Sequence, residues 1–328
     1  MKYYDIVASE ISDDMYDDWS EYRNHITDYI FSAVENHIIK KKLKEDSCIR
    51  LKNLHSKELL ATTDDSKPTL AIWGAGGCND IDIKRLAKYF KLILIDRDIE
   101  ILNKAKKKYH IKDSDCLIIN LKFWDIEDEI YKMFEALLKD VAATDEIIGF
   151  LNDIINKMII PDYNLLPSFD YSVAIGLVSQ LNSRFAALLY LYKDFYRYED
   201  IKTLNDYINY MNKKAVKRFM ESITLMTNYC IILGYELSVH GMDEDLCSTV
   251  KSMNELSEVW NINNKSTIFA WNTNSSIAGN RELEECLNKK DFINNSFAVQ
   301  EWQSFVWPFS KEKNYIMAIG VFYSCDIA

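Results

Sequence analysis

The segment Thr69–Asp98 constrains the fold more tightly than any other part of the chain. Thr69–Trp73 (TLAIW) is a short apolar run that stops at Gly74-Ala-Gly-Gly77. Asp80–Phe90 then places Ile83, Leu86, Ala87 and Phe90 on one face of a helix. Lys91–Ile95 (KLILI) is a second apolar run closed by Asp96. Ile99–Tyr109 is again helical in pattern, and Asp115–Leu121 (DCLIINL) is a third run. Strands that alternate apolar and polar residues bury one face; continuous apolar strands bury both. Alternating with helices, they predict a doubly wound, mostly parallel α/β sheet.

The rest of the chain extends this plan. Ile126–Ile160 reads as a long helical segment, more than a minimal crossover needs, and Asp170–Val178 as a fourth strand. Asn182–Asn228 is helical and rich in tyrosine, and Tyr229–Val239 (YCIILGYELSV) is a fifth strand. Farther on, Ile268–Trp271 reads as a short strand and Glu282–Leu287 as a helix. Val299–Phe309 and Asn314–Ser324 are aromatic, β-rich runs joined by Ser310-Lys-Glu-Lys313, which predicts an antiparallel hairpin. Ahead of the sheet, Tyr16, Trp19, Tyr22, Ile26, Ile30, Ala33 and Val34 recur at helical spacing. The polar loop Thr62–Pro68 marks a boundary there. The chain thus divides into a helical region, 1–66, and a sheet domain, 67–328, with helical inserts near 126–160 and 182–228.

Composition narrows the partners. A net charge of −11 argues against a nucleic-acid partner, which needs a basic face for phosphate contacts. The seven cysteines are scattered, with no C-x-x-C pair. That favours reduced thiols and a cytoplasmic location over a disulfide framework or a metal site. The first residues carry no apolar signal core, and apolar runs such as Ser172–Val178 fall far short of a membrane span.

Glycine is needed where a chain turns sharply or approaches a ligand without a Cβ in the way, and Gly74 and Gly76 occupy such a turn. A helix N-terminus behind that turn would present N–H groups to an anion. Asp96 ends the next strand, where a carboxylate can accept hydrogen bonds from both ribose hydroxyls. The dinucleotide fingerprint requires a third glycine three positions after the second, and that position holds Asn79.

Ile72-Trp-Gly-Ala-Gly-Gly-Cys-Asn-Asp80 followed by Leu92-Ile-Leu-Ile-Asp96 resembles the first motif and the acidic residue of class I S-adenosylmethionine-dependent methyltransferases. The resemblance covers Thr69–Val178 in motif order and Tyr229–Ser324 in topology. It implies a seven-stranded sheet whose last two strands form an antiparallel hairpin. It also implies that Gly74, Ala75 and Gly76 line the methionine part of S-adenosylmethionine. Asp96 would hold the ribose with Arg97 or Asp98 beside it, and Ile99 would lie against adenine. Asn120 and Asp125 share the loop from which the family contacts adenine.

The fourth strand runs into Gly176-Leu-Val-Ser-Gln-Leu-Asn182, so Ser179, Gln180 and Asn182 are candidates to face the substrate; Gln180 and Asn182 could equally cap the next helix. The chain lacks the N/D-P-P-Y/F motif of amino methyltransferases acting on nucleic acids and the Pro-Cys nucleophile of cytosine-C5 enzymes, which favours a small molecule or a protein as substrate. Methyl transfer needs chiefly alignment. If a base is required, His240 follows the fifth strand at the mouth of the sheet, with Tyr235 and Glu236 behind it. The aromatic series Tyr190, Tyr192, Phe195, Tyr196 and Tyr198 suits either a pocket over the cofactor or helix packing. Two other functions share the fold signals: a non-catalytic binding protein, and an NAD(P)-dependent oxidoreductase, against which Asn79 and the hairpin argue.

Overall fold

A computed structural model describes residues 19–45, 67–158, 167–240, 280–288, 296–310 and 313–325. Its seven strands, β1 (Thr69–Trp73), β2 (Lys91–Asp96), β3 (Cys116–Asn120), β4 (Phe169–Ile175), β5 (Thr227–His240), β6 (Phe297–Ser310) and β7 (Lys313–Ser324), form one sheet in the order β3-β2-β1-β4-β5-β7-β6. The first five run parallel, and β7 is antiparallel to both β5 and β6. The expected seven-stranded sheet with its closing hairpin is therefore present. Ile268–Trp271 lies outside the described residues.

The helices are α1 (Ser20–Glu45), α2 (Ile83–Leu86), α3 (Ile99–Lys108), α4 (Glu127–Lys139), α5 (Thr144–Asn156), α6 (Ser183–Tyr192), α7 (Tyr198–Met226) and α8 (Asn280–Asn288). One sheet face packs on α1, α2 and α3 through Leu70, Ile72, Leu92, Leu94 and Ile232. The opposite face, carrying Ala71, Trp73, Ile93, Ile95 and Ile231, packs on the C-terminal half of α7 and on α8. A third core, built from α4, α5, α6 and the N-terminal half of α7, gathers around Trp124, Phe134 and Phe185. α7 is long enough to belong to both of the latter cores, and so couples the helical layer to the sheet.

Three local expectations change. The helix over Asp80–Phe90 contracts to α2, capped when Asp82 Oδ1 accepts from Arg85 N–H (2.9 Å) and tightened at its end by i→i+3 bonds such as Tyr89 N–H to Leu86 O. Its apolar residues still reach the core. The segment Ile126–Ile160 divides into α4 and α5. Ala142 N–H bonds to Leu137 O and Val141 N–H to Leu138 O, a Schellman stop with Val141 at φ 51°. α3 stops in the same way with His110 at φ 56°. Glycine normally marks this conformation; valine and histidine give no such signal. The tyrosine-rich segment divides at Lys193–Phe195 into α6 and α7.

α1 docks on the sheet through more than its apolar stripe. Tyr323 Oη donates to Ala33 O (2.8 Å), and the imidazole of His37 shares a hydrogen bond with Tyr171 Oη (3.1 Å) while stacking on Tyr229. Burial, reinforced by the charge of Lys41, lowers the His37 pKa to about 4. The unfolded value is near 6.5, so the fold favours the neutral ring. The stability this contributes is fully present above pH 6.5 and is lost as pH falls toward 4. The stability of the wild type relative to His37→Phe, measured by urea unfolding, is expected to rise by about 2 kcal/mol between pH 5 and pH 7.5. A flat difference would contradict a neutral, buried His37.

Candidate cofactor site

Strand order reverses between β1 and β4, where ligands of open α/β sheets bind beyond the carboxyl ends of the strands. Three glycines with positive φ meet there: Gly74 (65°) and Gly76 (47°) after β1, and Gly176 (66°) after β4. A Cβ on Gly74 would lie 2.6 Å from Leu177 Cδ1, so the two loops touch only because residue 74 has no side chain. A Cβ on Gly76 would meet nothing closer than 3.9 Å, so that edge of the turn is open.

Asp96 is tied into this turn. Its Oδ2 accepts from Gly76 N–H (2.9 Å) and its Oδ1 from Asp98 N–H (3.0 Å), while Ala75 N–H bonds to Ile95 O (3.1 Å). Burial raises the Asp96 pKa, and the N–H groups of Asp98 and Gly76 oppose that rise. A carboxylate has about four acceptor positions. The N–H groups of Gly76, Asp98 and Arg97 all bear on it, and the acceptor capacity beyond them is open to a diol. Because α2 begins only at Ile83, the expected helix N-terminus behind the glycines is absent, and the turn's Gly76 N–H serves Asp96 instead.

The neighbouring residues have separate places. Arg97 Nη1 donates to Glu127 Oε1 (2.9 Å) and to Tyr131 Oη (3.3 Å), and Tyr131 Oη donates to the same Glu127 oxygen (3.1 Å). This link between the loop after β2 and α4 has no local sequence signature, since Arg97 and Glu127 are 30 residues apart. Asp98 caps α3 by accepting from Glu100 and Ile101 N–H. Ile99 is 49% exposed beside it, an apolar surface available to a flat ring. Asn120 Nδ2 donates to Arg97 O (2.8 Å), fixing the backbone after Asp96, whereas Asp125 is exposed on the turn before α4.

In the loop after β4, Ser179 Oγ donates to Glu236 Oε1 (2.8 Å). Gln180 is exposed and its Nε2 donates to Gly176 O (2.9 Å), holding its own loop. Asn182 occupies the N-cap position of α6 without a capping bond; it is buried against Asn212 of α7, turned into the core. The structure thus brings Ser179 to the mouth with Glu236 and leaves Asn182 inside.

His240 is placed differently from its expectation. β4 ends opposite Gly234, and β5 continues past it to pair His240 with Asn314 of β7. At ~3.3 Å per residue, the backbone of His240 lies roughly 20 Å along the strand beyond Gly234. Glu236, two residues past that point, is the acid or base of β5 at the mouth. The tyrosine series also departs from a pocket wall. Tyr190, Phe195 and Tyr198 are exposed, while Tyr192 Oη donates to Glu135 Oε1 (3.1 Å) and Tyr196 Oη reaches Leu138 O (3.3 Å) on the α4 side.

Among the described residues, no helix is long and apolar enough to cross a membrane, and no disulfide joins the cysteines. No protein-family model matches the chain, and no curated protein matches its sequence. Solved structures similar to it include a S-adenosylmethionine-dependent methyltransferase from Methanosarcina mazei (10% identity, 83% of this chain and 98% of that one, TM-score 0.35). The N-methyltransferase NodS from Bradyrhizobium japonicum WM9 is similar over 79% of this chain and 85% of its own (9% identity, TM-score 0.32). A 16S rRNA (adenine(1408)-N(1))-methyltransferase from Catenulisporales acidiphilia is similar over 83% and 93% (7% identity, TM-score 0.35). Five parallel strands, a closing antiparallel hairpin and a glycine turn locked to the acid that ends β2 give this chain the class I methyltransferase fold.

Proposed function

We propose that the protein transfers a methyl group from S-adenosylmethionine to a small molecule. The observation that carries this reading is the Asp96 carboxylate, hydrogen-bonded to Gly76 N–H at the strand-order reversal with acceptor positions left for a ribose. Gly74, Ala75 and Gly76 would line the methionine portion, Asp96 the ribose hydroxyls and Ile99 the adenine. Asn120 and the Arg97–Glu127 pair would hold the loop that carries Asp96. Bound there, the cofactor supplies an electrophilic methyl on a sulfonium. The chain's own contribution is to align an acceptor with that methyl and to exclude water.

The net charge of −11 supports a substrate other than nucleic acid, and scattered thiols support a cytoplasmic setting. Calorimetric titration with S-adenosylhomocysteine and with NADH tests the proposal. S-adenosylhomocysteine is expected to bind and NADH is not. Binding of NADH alone would point to an oxidoreductase, and binding of neither to a protein that keeps the fold without the chemistry. Either result overturns the proposal.

A further inference from the structure

Asn79 stands where the dinucleotide fingerprint has its third glycine. In that fingerprint the glycine lets the following helix pack closely on the strand, so the helix itself braces the turn. Here α2 begins only at Ile83, and residues 77–82 separate it from Gly76. Cys78 is left-handed at φ 52°, and its N–H bonds back to Ala75 O (2.8 Å), closing the turn on itself. The stretch beyond has no helix of its own and must be held from outside.

Two neighbouring helices hold it, and they meet at Asn79. From α1, Arg23 Nη1 donates to Asn79 O (2.9 Å). Thr27 Oγ1, one turn farther along α1, accepts from Asp82 N–H (3.0 Å) while donating to Arg23 O (2.7 Å). From the end of α3, Lys108 Nζ (3.1 Å) and Tyr109 Oη (3.2 Å) both donate to Asn79 Oδ1. Arg23, Thr27 and Tyr109 are buried, which shields their bonds from competing water. The Asn79 amide also lies over Gly77, where a Cβ would come within 3.2 Å of Nδ2, so it fits there because residue 77 has no side chain.

We propose that Asn79 is the positioning residue of the glycine turn: by tying the end of the turn to α1 and α3, it holds Gly74, Ala75 and Gly76 in place for the methionine portion of S-adenosylmethionine. Asn79 touches no reacting atom and acts through the turn. Asp96 ties Gly76 to β2 independently, so loosening Asn79 is felt at the methionine end more than at the ribose. The inference rests on the proposed methyl transfer for its ligand, and on the hydrogen bonds alone for the tie.

The test is calorimetric titration with S-adenosylhomocysteine and with 5′-methylthioadenosine, which keeps the adenosine and the sulfur but lacks the amino-acid portion. In Asn79→Ala, S-adenosylhomocysteine affinity is expected to fall by about tenfold while 5′-methylthioadenosine affinity stays within about twofold of wild type. Asn79→Asp keeps an oxygen for Lys108 and Tyr109 and should stay within about threefold for both ligands. Unchanged S-adenosylhomocysteine affinity in Asn79→Ala, an equal loss for the two ligands, or an Asp variant as weak as the Ala variant would each overturn the assignment. If circular dichroism shows that Asn79→Ala does not fold, Tyr109→Phe replaces it by deleting one donor. The same split between the ligands should appear at smaller size, and its absence overturns the assignment. Hydrogen exchange of the unliganded protein, followed by mass spectrometry, tests the tie without a cofactor. Amides of residues 76–82 should exchange at least about fivefold faster in Asn79→Ala, with β1 and β2 unchanged. If S-adenosylhomocysteine does not bind the wild type, the methyl-transfer reading fails separately; unchanged exchange overturns the tie whatever the ligand does.

Discussion

Replacing Asp96 by alanine is expected to weaken S-adenosylhomocysteine binding by about 100-fold or more, since two hydrogen bonds from a diol to a carboxylate contribute roughly 1.5–3 kcal/mol each. The variant also removes the acceptor for Gly76 N–H and Asp98 N–H, so the open edge of the glycine turn loses its tie to β2. Leaving those groups unpaired should lower folding stability by about 1–3 kcal/mol without abolishing the fold. Asp96→Asn, which keeps one carbonyl oxygen as acceptor, should fall between the two in affinity. Calorimetry with S-adenosylhomocysteine, alongside urea unfolding, separates the effects. Unchanged affinity in Asp96→Ala would remove the ribose assignment, whatever the stability shows.

The largest effect on folding is expected from Phe185→Ala. This ring is fully buried at the centre of the helical layer, with centroids 4.8 Å from Tyr131, 5.1 Å from Phe134 and 6.2 Å from Trp124. No neighbour can collapse into its space without breaking another contact, so the loss should be about 3–5 kcal/mol. Tyr131 also holds Arg97 together with Glu127, next to the Asp96 carboxylate. The variant should therefore bind S-adenosylhomocysteine severalfold more weakly even where it is folded. A loss below about 1 kcal/mol by urea unfolding would mean that the layer repacks freely. Unchanged cofactor affinity would mean that the Arg97 link does not position the turn.

The central sheet was legible because its evidence is local. TLAIW and KLILI are apolar on both faces and covered on both, whereas DCLIINL forms the edge strand with Leu117 43% exposed, and Gly74 and Gly76 take the positive φ that a turn there requires. The terminal hairpin was equally visible in two aromatic runs and a polar turn. Helix ends were less so. α3 and α4 stop in left-handed residues that are histidine and valine, and such stops are held by backbone bonds that the residue types do not announce. The apolar run Tyr229–Val239 ends just before His240, which by sequence alone puts that histidine at the mouth. Pairing with β7 carries β5 onward and leaves Glu236 at that level.

By itself, the sequence determined the parallel sheet, the glycine turn and the placing of Asp96 twenty residues after Gly76, since each depends on the periodicity or spacing of near neighbours. Only the tertiary structure decided what surrounds the turn. Trp19 and Tyr22 at the start of α1, Ser179 after β4, Glu236 in β5 and Trp307 in β6 are far apart in the chain, and a contact between distant segments is set by how helices and strands pack rather than by any local preference.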